Sequence, residues 1–247
     1  MRWAIFLAVL SLVFGADPVW AAGDDVCPLQ AEFTTPGKPL EHLAAAIRQP
    51  GPIEILAVGS ATMVGQDGGG GRSFPFRMAE ELRGLLPGRE IHLTLRGARS
   101  MPAPDMLKLM DAELAQTRFA LVLWQTGAVE AAHSMNAEAL RATVDAGAGS
   151  VRAAHADLVL IDLQYSRYWH TRASLDSYEE VLRDIAEAPD VALFRRYDLM
   201  RQWAENGGID LERTRKAEQE KAVDTLHACL GDALARFVAD GAGIPGR

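Results

Sequence analysis

The sequence predicts one α/β domain, a parallel sheet covered by helices on both faces. Three observations predict it. Short apolar runs alternate with longer amphipathic ones from Ile53 to the last helix, as in successive βαβ units. Two runs, FALVLW at Phe119–Trp124 and ADLVLIDL at Ala156–Leu163, are apolar almost throughout, as strands buried on both faces are. The 247 residues are 49% hydrophobic and 23% charged, which is an ordinary globular composition and leaves no room for disorder, collagen or coiled coil.

Taken in order, the chain opens with the three parts of a secretory leader. Arg2 gives a thin positive start, Ala4–Gly15 is an apolar run, and Val19-Trp20-Ala21 supplies small residues before a cut after Ala21. The apolar run is shorter than the ~20 residues a membrane span needs. Residues 22–50 read as an N-terminal arm with a helix, and residues 51–247 as the domain proper. Ile53–Val58 is the first strand and Phe76–Leu86 a helix closed by Pro87-Gly88. Ile91–Leu95 alternates as a second strand, Asp105–Gln116 is helical, and Phe119–Trp124 is the third strand. The Ala-rich segment Asn136–Ala154 is helical and leads into the fourth strand at Ala156–Leu163. Leu175–Glu187 is a helix, Val191–Phe194 a short strand, and Tyr197–Glu205 a helix; a long helix within Lys216–Ala239 closes the chain. No internal repeat or linker divides it.

The net charge of −8 argues against a nucleic-acid surface, which needs a basic surplus to track phosphates. No second apolar stretch is long enough to span a bilayer, so the expectation is a secreted or periplasmic protein with no stable membrane span after cleavage. Two cysteines, Cys27 and Cys229, suggest one bridge in an oxidising compartment; two buried free thiols are the alternative.

In open parallel sheets, ligands bind beyond the carboxyl ends of the strands. Those ends carry Gly59–Gly65 with a glycine-rich loop (Gly68–Gly71), Arg96-Gly97-Ala98, Gln125–Val129, and Gln164-Tyr165 followed by Tyr168-Trp169-His170. The glycine loop fails the phosphate-loop pattern, because Gly70 is followed by Gly71-Arg72 rather than a lysine, and it reads as a ligand-neutral loop. The six histidines show no metal-ligand spacing, and no cofactor is expected. Tyr165, Tyr168 and Trp169 either stack on a sugar ring or pack under the neighbouring loop. Gln125 and Gln164 either donate to a ligand or tie two loops together.

These segments, in this order from about Ile53 to Phe237, resemble the SGNH/GDSL hydrolase superfamily of esterases. Gly59–Gly65 is similar to the G-S-S-S-T-x-G block of an exported bacterial subgroup, and Trp124–Val129 to its W-Q-x-G-T-N block. Phe194-Arg195-Arg196-Tyr197 with Met200 and Trp203, and Cys229-Leu230-Gly231, match two later blocks. The resemblance implies a flavodoxin-like three-layer sandwich around a central parallel sheet, with a Ser-His-Asp ester-cleaving site. Residue by residue, the serine position is Ala61, the oxyanion glycine is Gly97 and the oxyanion asparagine is Val129. Counted back from Cys229, the Asp and His positions are Glu218 and Lys221, with Asp224 kept; another register gives Asp210 and Arg213.

Loss of a serine nucleophile alone costs about a million-fold in turnover, and one lost oxyanion donor roughly 3–4 kcal/mol. The expectation is therefore a scaffold with a decayed catalytic site. Its cleft, around Ser60, Ala61, Gly97, Gln125, Val129, Gln164, Tyr165, Glu218 and Lys221, would bind an acylated glycan, a lipid, another small molecule or an envelope protein without cleaving it. The alternative is an active O-acyl esterase or acyltransferase on polysaccharide that uses Ser60, with Lys221 as its base. Against that pair stand two plainer roles, Ser60 as a cap and Lys221 in a surface pair with Glu218.

Overall fold

The computed structural model describes residues 26–65, 72–170 and 175–245. The expected leader (1–21) and the loop Gly68–Gly71 lie outside the described residues. Five strands form one parallel sheet: β1 (Ile53–Gly59), β2 (Ile91–Gly97), β3 (Leu121–Gln125), β4 (Asp157–Ile161) and β5 (Val191–Phe194), in the order β2-β1-β3-β4-β5. β3 and β4 are buried at every position, which is why they read as continuous apolar runs. β2, an edge strand, alternates and turns His92 and Arg96 to solvent.

The helices are α1 (Ala31–Thr34), α2 (Glu41–Arg48), α3 (Ala61–Val64), α4 (Phe74–Leu85), α5 (Ala103–Leu114), α6 (Ala128–Ala132), α7 (Ala137–Ala153), α8 (Arg167–His170), α9 (Asp176–Ile185), α10 (Arg196–Glu205) and α11 (Gln219–Gly241). α4 and α11 pack together over one face of the sheet, where Ile55 and Ala57 meet Met78, Leu234 and Phe237. α5, α7 and α9 cover the other, where Leu56 and Val58 meet Met106, Val144 and Leu182. The sheet with a helical layer on each face is the expected three-layer sandwich. Among the described residues, no helix is long and apolar enough to cross a membrane.

The longer elements begin and end within a few residues of their sequence-based limits. The short helices α3, α6 and α8 were not expected, since four or five residues carry no periodicity to read. Asn136, expected inside a helix, caps α7 instead, accepting the N–H groups of Glu138 and Ala139.

The arm is docked by specific chemistry. A buried carboxylate at the start of β4, Asp157, accepts the N–H groups of His42 (3.2 Å) and Leu43 (2.8 Å) at the first turn of α2. Lys38 donates to the carbonyls of Ala186 and Ala188 after α9 and of Val191 at the start of β5. The cysteines form one bridge, Cys27–Cys229, across a sequence separation of 202. It joins the arm to α11, so the two-free-thiol alternative falls.

Candidate functional site

β1 pairs with β2 on one side and β3 on the other, so the crossovers diverge there and leave a crevice beyond the carboxyl ends of the strands. A cavity of about 510 Å³ lies in that region, of the size that takes a small organic ligand. Its wall comes from four parts of the chain: Ala61, Thr62 and Gly65 after β1, Arg99 after β2, Gln164 to Arg167 with Trp169 after β4, and a closing flank from α10, the loop at 209–212 and α11.

Close backbone approach shapes the floor. Gly97 has φ +144°, and a Cβ there would stand 1.8 Å from the carbonyl oxygen of Gly59. A Cβ on Gly59 would stand 2.3 Å from Cγ of Met63 in α3. Packing alone therefore requires both glycines. Gln125, 2% exposed, ties the loop after β1 to β3: its Oε1 accepts the Thr62 hydroxyl at 2.9 Å and its Nε2 donates to Oγ of Ser60 at 3.1 Å. Glu130 secures the loop after β3 by accepting the N–H groups of Gly127 (3.0 Å) and Ala103 (2.6 Å).

A cation lies behind this floor. Arg196, 1% exposed, donates from Nε to the carbonyl of Leu163 (3.3 Å) and from Nη1 to the Thr62 hydroxyl (3.4 Å), while its buried Nη2 has no partner among the described residues. Burial lowers its pKa to about 10, which leaves it charged at neutral pH. Burial also pushes the neighbouring Asp162 carboxyl up to about 8, against the pull of the Arg196 charge.

His227 lines the cavity from α11. Burial first, and Arg196 second, hold its pKa below the ordinary value. Its Nδ1 accepts the N–H of Phe74 at 3.0 Å, so the neutral ring carries its proton on Nε2. A general base of the Ser-His-Asp type needs the opposite tautomer, with Nδ1–H held by a carboxylate and Nε2 bare. Asp224, one helical turn before His227, pairs instead with Arg77 at 2.8 Å.

Of the nine cleft residues expected from sequence, Ala61, Gln164 and Tyr165 line this cavity. Ser60 and Gln125 sit at its floor through the bonds to each other and to Thr62, so Gln125 takes the loop-tying role. Gly97 and Val129, the latter in α6, are not in the wall. Glu218 and Lys221 are exposed and outside it, because they fall in the helical turns that open the last helix. The expected Glu218–Lys221 pair does not form; the Glu218 carboxylate bonds Arg215. In the other register, Asp210 does reach the wall, bound to Nε of Arg167 at 2.8 Å. Trp169 lines the cavity and is 39% exposed, while Tyr168, 52% exposed, meets it edge-on, so neither ring packs away under a loop.

Sequence reasoning missed Thr62, Arg99, Arg196 and His227. Thr62 and Arg196 stand inside matched blocks that give them no role, Arg99 carries no signal, and His227 carries one: Asp224-Thr225-Leu226-His227 has the D-x-x-H spacing, six residues beyond Glu218 and Lys221.

Sheet order and a crevice at the carboxyl ends define a flavodoxin-like α/β protein. The Non-GDSL lipase-like family matches residues 26–244, and the chain belongs to that family. No curated protein matches it. Among solved structures, it is similar to LAE5, an alpha/beta hydrolase enzyme from the metagenome of Lake Arreo, Spain, at 12% identity and TM-score 0.61, over 79% of this chain and 97% of that one. A mutant of Axe2, an acetyl-xylooligosaccharide esterase from Geobacillus Stearmophilus, is similar at 15% identity and TM-score 0.61, over 75% and 94% of the two chains. AlinE4, an SGNH-hydrolase family esterase, is similar at 15% identity and TM-score 0.54, over 80% and 100%. At such identities the likeness concerns the fold.

Proposed function

We propose that this chain is an exported binding protein on a hydrolase scaffold: its cavity holds an acylated glycan or lipid, or an acylated group on an envelope partner, without cleaving it. The carrying observation is what the wall offers a bound ester, the methyl group of Ala61 and a histidine whose Nδ1 is turned to Phe74. Neither group can supply an attacking oxygen or take its proton. Export rests on the leader ending at Ala21, which places an arm at 22–50 ahead of the domain at 51–247, and is supported by the Cys27–Cys229 bridge.

The test is turnover by the purified chain without residues 1–21. p-Nitrophenyl acetate should hydrolyse at the buffer rate, and a fluorophosphonate probe should leave the protein unlabelled. Rapid hydrolysis that disappears in Ser60→Ala would overturn the binding reading in favour of an O-acyl esterase or acyltransferase.

A further inference from the structure

The open edge of the sheet lies away from the cavity. β2 stands first in the strand order and pairs with β1 alone. Ile53 donates to the Glu90 carbonyl, and successive residues of a strand send their backbone groups to opposite sides, so Glu90, His92, Thr94 and Arg96 face β1. Ile91, Leu93 and Leu95 therefore turn their N–H and C=O groups outward. Such a row is a template for one more strand. The sequence there, IHLTL, is rich in apolar residues and holds no proline or glycine, a composition that pairs readily. Two of the three outward carbonyls are taken, however: Ile91 accepts Nη2 of Arg83 at 2.7 Å, and Leu95 accepts Nη1 of Arg96 at 2.9 Å. Arg83 comes from the last turn of α4, on one face of the sheet. Arg96 is held from the other face by Glu113 of α5, whose carboxylate takes its Nε at 2.6 Å. Among the described residues, Leu93 alone of the three keeps its outward carbonyl bare.

We propose that Arg83 and Arg96 guard this edge against a second copy of the same chain. Two copies can meet edge to edge about a two-fold axis with Leu93 opposite Leu93, because an isologous contact uses one surface twice. That antiparallel register sets Ile91 of each copy opposite Leu95 of the other, and each outward pair exchanges two hydrogen bonds. Every bond at the flanking pairs needs the carbonyl of Ile91 or Leu95, and the arginines hold both carbonyls in both copies. Only the central Leu93 pair is left, which is too little to hold two molecules together. Charge acts in the same direction, since this register sets Arg83 of one copy beside Arg96 of the other. The proposal is independent of what the cavity holds.

The experiment is sedimentation velocity of the folded chain, cut after Ala21, as the parent and as two double variants. Arg83→Ala/Arg96→Ala opens the edge, and Arg152→Ala/Arg236→Ala removes two exposed arginines of α7 and α11 instead. Each variant loses two positive charges, passing from −8 to −10, so repulsion between copies rises equally in both. The edge variant should self-associate roughly tenfold or more tightly than the parent, while the other variant sediments as the parent does. Amide hydrogen exchange locates the contact: the N–H groups of Leu93 and Leu95 should exchange freely in the parent and slowly in the associated variant. Unchanged sedimentation of the edge variant would overturn the proposal, as would equal association of both variants, or association that leaves Leu93 and Leu95 unprotected. Protection of those amides in the parent would overturn it too, by showing an edge already paired. If the double variant does not fold, Arg83→Ala alone decides in the same way, since it frees the Ile91 carbonyl and leaves Arg96 with Glu113.

Discussion

Removing the Cys27–Cys229 bridge should be the most damaging change available far from the cavity. The bridge spans 202 residues of sequence, so it closes nearly the whole described chain into one loop. In the chain-entropy account, a loop of that length withholds about 5 kcal/mol from the unfolded ensemble. For a domain of this size each kcal/mol is worth roughly 2–4 °C, so the melting temperature should fall by about 10–20 °C. The native contacts of the arm survive the change: Nε1 of Trp203 still donates to the Pro28 carbonyl, and Phe33, Leu40 and Leu43 stay buried. The assay is urea unfolding of the oxidised chain, the chain kept reduced, and the double variant Cys27→Ser/Cys229→Ser. If the cross-link carries the loss, the reduced chain and the variant should agree within about 1 kcal/mol, the ordinary size of a single-site packing effect. The reasoning would be refuted if the reduced chain unfolded at the same urea concentration as the oxidised one.

Gly97→Ala should destabilise the fold by about 3 kcal/mol or more, because its Cβ would strike the Gly59 carbonyl at a backbone angle that side chains avoid; native-like unfolding by urea would refute this. Glu130→Ala should cost about 2–6 kcal/mol by stranding the N–H groups of Gly127 and Ala103, measured the same way. Asp162 has a folded pKa raised from 3.8 to about 8, so the native state holds its proton more tightly than the unfolded one. Its contribution is complete below pH 4 and is lost as pH rises through 8, at up to ~1.4 kcal/mol per pH unit. Asp162→Asn should flatten that slope between pH 5 and 8, and an unchanged slope would count against it. Ala61→Ser should leave p-nitrophenyl acetate hydrolysis within about tenfold of the parent, since a wrong histidine tautomer costs ~10⁴; a thousand-fold gain would show that His227 turns over.

Amino-acid order alone determined the alternation of strands and helices, since burial on two faces leaves continuous apolar runs such as LVLWQ and DLVLI, and burial on one leaves helical periodicity. It also carried the block whose resemblance sets Ala61 where the family has its serine, because that block is local in the chain. Tertiary structure decided the rest of the site. Arg196 comes from the start of α10 and His227 from α11, and nothing local marks the one as a buried cation behind Thr62 or the other as an acceptor for Phe74. Charge state and tautomer depend on what each group faces, and those neighbours lie 134 and 153 residues away in sequence. Lys221 and Glu218 illustrate the converse: placed by counting back from Cys229, they sit on exposed turns, because a helix, not a count, determines where side chains point.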